Sequence, residues 1–184
     1  MNELTDLIAN FSTGRVLLVG DIMLDTFVYG NVSRISPEGP IPVLAVTHEN
    51  KMLGGAGNVL ANIRGLGGQA DIISLIGDDY EGKQVESSIE ELGVHADGLL
   101  NDSARPTTLK TRYLSQNQQL LRVDHEQVQP LSPESETLLF EKADALIANA
   151  DVLILSDYGK GFFSPAIVKR LIKLAAKNKI TNLG

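Results

Sequence analysis

The 184-residue chain carries 16 basic and 23 acidic side chains, a net charge of −7, with 43% hydrophobic and 21% charged residues. That balance belongs to an ordinary globular protein and excludes a disordered chain, and with no basic tract it speaks against a nucleic-acid surface. Zero cysteine excludes disulfides and thiolate metal sites, and His48, His95 and His125 lack any ligand spacing, so no bound metal is expected.

An acidic N-terminus without a signal-peptide pattern, and the lack of any apolar run of bilayer length, make a cytoplasmic protein with no membrane partner the expectation. Leu4, Leu7, Ile8 and Phe11 share one face of a short opening helix, and Val16 to Val19 reads as the first buried strand. Residues 26–49 break the strand-helix rhythm. Thr26 to Tyr29 and Val43 to Val46 are strand-like runs about a loop rich in Pro37, Gly39, Pro40 and Pro42, which predicts a small antiparallel flap.

After Gly54-Gly55-Ala56-Gly57-Asn58, the residues Val59, Leu60, Ile63 and Leu66 mark a helical face, stopped by Gly67-Gly68, and Ala70 to Ile76 reads as a second buried strand. A helix with Val85, Ile89 and Leu92 inward ends at Gly93. Thr107 to Ser115 and Gln118 to Asp124 alternate about Gln116-Asn117, the pattern of a hairpin, with Lys110 and Arg112 on one face. Ser132-Pro133 and Ser164-Pro165 each start a helix with a cap and an N1 proline. Val152 to Leu155 lies between those helices as a third buried strand. The last helix turns Val168, Leu171, Ile172 and Leu174 inward, and residues 180–184 begin a further strand. The fold expected is α/β, a mostly parallel sheet of three or four core strands between helices with a small antiparallel lid.

Two places carry chemistry. Asp21 and Asp25 follow the first strand, at the end where open α/β sheets bind ligands, and a carboxylate accepts bonds from vicinal hydroxyls. Gly54 and Gly55 leave backbone bare for close approach at a helix start, with Asn58 nearby. Each also has a plainer use as a turn or cap residue.

Gly54, Gly55, Asn58, Gly67 and Gly77 stand at the spacings of a signature of the ribokinase-like carbohydrate kinases, which this chain resembles; Leu60 occupies a position usually held by a small residue. Val19 to Asp25, Ser33 to Glu38, Asn117 to Asp124 and Leu155 to Gly161 look like the heptose-7-phosphate kinases of that family. The resemblance implies an ATP- and Mg²⁺-dependent kinase acting on the anomeric hydroxyl of heptose 7-phosphate, on the way to ADP-heptose and lipopolysaccharide core. It also implies a ribokinase-like fold over residues 1–184, incomplete at the C-terminus, with residues 26–49 as a lid that covers the sugar and pairs across a homodimer.

The same resemblance makes Asp25, Gly54, Gly55, Asn58 and Asp157 sugar contacts, with weaker cases for Asp21 and Gln118. It makes Arg34, Lys110, Arg112 and Lys160 candidates for the substrate phosphate, because an acidic protein that binds an anion needs local positive charge. The family's Gly-Ala-Gly-Asp segment, which carries the catalytic aspartate, does not occur in these residues. No catalytic residue is therefore expected in this chain, which reads as the sugar-binding and lid half of a kinase, inactive by itself. A non-catalytic sugar-phosphate binding or dimerisation module is the alternative. A dinucleotide site is disfavoured, because Gly20-Asp21-Ile22-Met23 lacks the needed glycines and presents an acid to phosphates.

Overall fold

In the computed structural model, which describes residues 11–183, the first apolar run after the N-terminal turn lies at the centre of the sheet. Leu17, Leu18 and Val19 of β1 (Arg15–Gly20) are fully buried. A strand buried on both faces reads as a continuous apolar run, and it needs helices above and below. β1 pairs in parallel with β4 (Gln69–Ile76) and with β8 (Val152–Ser156), and β5 (Leu99–Asn101) and β9 (Thr181–Leu183) extend the sheet to the order β5-β4-β1-β8-β9.

Helices α1 (Ala56–Gly65) and α2 (Tyr80–Glu91) meet Leu18, Ile72 and Ile76 on one face; α3 (Pro133–Ile147) and α4 (Pro165–Lys177) meet Leu17, Val19, Ile73 and Leu153 on the other. Truncating such a leucine costs about 2–5 kcal/mol, so β1 anchors both layers. Three helices start on side-chain caps: Asp79 accepts from Gly82 N, Ser132 from Ser135 N and Ser164 from Ile167 N.

The second sheet stands apart from the first, in the order β3-β2-β6-β7. β2 (Ile22–Ile35) and β3 (Pro42–Gly55) are antiparallel; β6 (Leu109–Ser115) runs parallel to β2, and β7 (Gln118–His125) returns along β6. Gln116 and Asn117 both have positive φ, 48° and 69°, as the tight two-residue hairpin turn requires.

Several expectations change. The main sheet has five strands rather than three or four, because β5 is too short to show a pattern. The flap is longer than residues 26–49, since its strands run to Ile22 and Gly55, and the hairpin of β6 and β7 belongs to the same sheet. Leu66 and Ile172 are exposed, 59% and 39%, rather than inward. The expected opening helix at Leu4, Leu7 and Ile8 lies outside the described residues, while Phe11 sits in a short 3-10 turn and is 40% exposed.

Candidate sugar site at the base of the lid

Alternation along β2 sends Asp25, Phe27 and Tyr29 to one face of the lid sheet, Asp25 nearest the body. Pairing fixes its neighbours: Met23 lies opposite Gly54, Ile22 opposite Gly55, and Asp25 beside Lys110 of β6. The carboxylate of Asp25 accepts from Arg112 Nη1 at 2.7 Å, and both side chains are mostly buried, 17% and 21% exposed. Arg112 also lies over the Phe27 ring, 5.1 Å from its centroid. The free side of Asp25 faces bare backbone, because a Cβ on Gly54 would stand 2.5 Å from Oδ2.

Gly55 is required for a different reason. Its φ of +59° lies in the left-handed region, and a Cβ there would press on the Asp21 carbonyl, which accepts from Ala56 N at 2.8 Å. Gly55 is thus the N-cap residue of α1, and Asn58 lies exposed in the first turn. Asp25, Gly54, Gly55, Arg112 and Lys110 therefore meet where the lid joins the body.

Asp21, four residues before Asp25, is held by the loop that follows β8. It is 4% exposed, and its Oδ2 accepts from the backbone N–H of Tyr158 at 2.8 Å and of Lys160 at 3.2 Å. Burial pushes its carboxyl above the ordinary range, and those N–H bonds only partly oppose the shift. Asp21 thus clamps the loop that follows β8.

From that clamped loop the Lys160 ammonium reaches Glu126, at 2.8 Å from Oε1 and 2.7 Å from Oε2. Lys110 meets the same carboxylate at 3.5 Å and Asp124 at 2.9 Å. Burial alone would raise Glu126, but the hydrogen bond from Lys160 and the charges of Lys110 and Lys160 hold it below the ordinary range. Sequence reasoning does not single out Glu126; its one signal is the polar Asp124-His125-Glu126 run that crosses the end of β7.

Three candidates lie elsewhere. Arg34 is nine residues beyond Asp25 along β2, roughly 30 Å at strand rise, exposed at the outer end of the lid. Gln118 pairs with Ser115 at the tip of the hairpin. Asp157 is exposed and turns its Oδ1 to Gly159 N at 2.8 Å, beside a groove lined by Phe163, Val168 and Ile172.

A family model described as "pfkB family carbohydrate kinase" matches residues 13–183. The chain belongs to this family. Relatives named "Bifunctional protein HldE" agree with it: that of Granulibacter bethesdensis is 46% identical over 166 residues, 90% of this chain and 34% of the relative, and that of Caulobacter vibrioides 47% identical over 166 residues with the same coverage. The chain spans about a third of the length of these curated relatives. The fold is that of the ribokinase-like sugar kinases. A carbohydrate kinase from Agrobacterium tumefaciens superposes with a TM-score of 0.68 at 18% identity, over 92% of this chain and 52% of that one. The Arabidopsis thaliana ribokinase complexed with ribose and ATP gives 0.60 at 17% identity, over the same shares. Among the described residues no helix is long and apolar enough to cross a membrane.

Proposed function

We propose that these residues form the sugar-binding and lid half of an ATP-dependent kinase that phosphorylates the anomeric hydroxyl of heptose 7-phosphate, supplying ADP-heptose for lipopolysaccharide core. The observation that carries this reading is the Asp25 carboxylate, oriented by Arg112 and open toward the bare backbone of Gly54. A carboxylate held by one arginine keeps lone pairs for sugar hydroxyls, and a glycine wall lets the ring approach. Lys110, Arg112 and Lys160 give a phosphorylated substrate its local positive charge within an acidic protein. Asn58 and Asp157 enter as further sugar contacts only if the cleft closes around the ligand. The relatives named for a bifunctional protein support a kinase joined to a second activity.

Phosphoryl transfer also needs a base and charge stabilisation at the migrating group. Because no Gly-Ala-Gly-Asp occurs within these 184 residues, we assign both, with ATP and Mg²⁺, to other parts of the kinase. Among the described residues no three His, Asp or Glu side chains converge as metal ligands. The lid offers exposed apolar side chains, Ile35, Val46, Leu121 and Val123 among them, and two free sheet edges, which suit pairing with a second copy. We place the enzyme in the cytoplasm, where ATP is abundant.

Titration calorimetry with heptose 7-phosphate, followed by a coupled ADP-release assay on the full-length protein, tests the reading. Saturable binding and turnover of that sugar are expected. Binding without turnover by the full-length protein would favour the sugar-phosphate binding module instead.

A further inference from the structure

Lys110, on β6, and Lys160, in the loop after β8, reach one carboxylate. Both ammonium groups contact Glu126 Oε2, at 3.5 and 2.7 Å, which leaves them no more than about 6 Å apart. Their side chains are only 12% and 18% exposed, so water screens their mutual repulsion poorly. An anion between them is therefore a requirement of the arrangement. Glu126 supplies it in the structure, and two features make it replaceable.

The first is its place in the chain. Lys110 sits inside the β6 ladder and Lys160 in a loop clamped by Asp21, but Glu126 lies just beyond His125, the last residue of β7, where no strand pairing holds its backbone. The second is the sharing of partners. Lys110 keeps Asp124 at 2.9 Å when Glu126 leaves, whereas the hydrogen bonds of the Lys160 ammonium among the described residues go to Glu126 alone. The pair thus opens toward an incoming anion at one fixed point, next in register to Asp25.

We propose that Glu126 is a resident counter-ion for a phosphate subsite: it neutralises Lys110 and Lys160 in the free protein and is displaced when the phosphate of a phosphorylated sugar takes its place between them. This inference rests on the reading of Asp25 as the sugar anchor, and it adds a residue that sets the preference for phosphorylated over neutral sugars. A phosphate monoester carries more charge than a carboxylate, and its three terminal oxygens can serve both ammonium groups at once. A neutral sugar offers nothing in exchange for Glu126 and leaves it in place. Specificity then comes from an internal competitor that only an anion outbids.

Full-length wild type and Glu126→Gln are titrated at low ionic strength with inorganic phosphate, heptose 7-phosphate and the unphosphorylated heptose. Removing the competitor is expected to tighten inorganic phosphate and heptose 7-phosphate about fivefold or more, and to leave the neutral heptose within twofold. Adding Lys160→Ala to Glu126→Gln removes the gain. In the unsubstituted protein, phosphate shifts the ¹³C titration of the Glu126 carboxyl upward as it leaves its lysine partners, a readout that needs no variant to fold. Unchanged or weaker phosphate binding by Glu126→Gln, or a carboxyl titration that phosphate does not move, overturns the inference. If inorganic phosphate shows the gain while heptose 7-phosphate fails to bind, the counter-ion role stands and the proposed substrate falls. If heptose 7-phosphate binds but Glu126→Gln binds it no tighter, only the counter-ion role falls.

Discussion

Gly54→Ala tests the cradle most directly, because the new methyl has one place to go. It would stand 2.5 Å from Asp25 Oδ2 and 2.8 Å from Met23 Cγ, whereas ordinary contact begins at 3.4 Å. Met23 is 3% exposed and has little room, so the carboxylate must retreat by about 0.9 Å, pulling on Arg112 as it goes. A displacement of ~1 Å in a positioning group costs roughly 100-fold in rate, equivalent to about 2.7 kcal/mol of transition-state stabilisation. The fold should notice less, since the obstructing atom is the end of a side chain; about 1 kcal/mol, the low end of overpacking, is expected. Gly55→Ala is the control with the opposite balance. Its left-handed φ costs an alanine about 1–2 kcal/mol, and its Cβ meets the Asp21 backbone, which cannot swing away. Heptose 7-phosphate calorimetry and thermal melting on both variants decide the matter: Gly54→Ala should lose binding and melt near the wild type, and Gly55→Ala should melt well below it. Sugar-phosphate affinity within twofold of wild type in Gly54→Ala would refute the placement of the sugar against this backbone.

Asp25→Asn keeps the shape and removes the charge; sugar affinity should fall at least tenfold in calorimetry, with melting moved by only a few degrees. Asp79 caps α2 through Gly82 N and also accepts from Thr107 N and Oγ1, each at 2.7 Å. Burial would raise its carboxyl, but the Thr107 and Gly82 bonds outweigh that and hold it below the ordinary range, so its stabilisation is complete above about pH 4 and is lost as pH falls through the lower folded value. Asp79→Ala should therefore cost about 1–2 kcal/mol at pH 7, and melting curves of variant and wild type should converge in acid. Light scattering of the full-length protein should show a dimer that Leu121→Glu, an exposed change on the lid, converts to monomer.

What is legible in the sequence follows from period and punctuation. Val16 to Val19, Ala70 to Ile76 and Val152 to Leu155 announce themselves because a strand buried on both faces must be apolar throughout, and Ser132-Pro133 and Ser164-Pro165 announce helix starts through cap chemistry. Gly54 and Gly55 mark the bare backbone beside Asp25 because backbone conformation is a local property. Side-chain partnership is not local, and there the sequence is weakest. Asp21 and Asp25 sit four residues apart, yet one faces the loop after β8 and the other Arg112, a distinction made by contacts 137 and 87 residues away. Ile172 faces inward by spacing alone, but the buried stripe of α4 is Ile167, Leu171 and Ala175.

The lid boundary escapes sequence reasoning for a related reason with functional weight. Read as an insertion over residues 26–49, the flap is a cover that could be lost without disturbing the floor. In the structure β2 begins at Ile22, two residues after β1 ends, and β3 runs into the cap of α1 at Gly55, so Asp25 and Gly54 belong to the lid strands themselves. Movement of the lid about its base therefore moves Asp25, the proposed sugar anchor, relative to Lys160, which the body holds through Asp21. The separation between the carboxylate proposed to bind hydroxyls and the ammonium proposed to bind phosphate thus depends on lid angle. A substrate long enough to engage both would fix that angle, and a shorter one would leave it free.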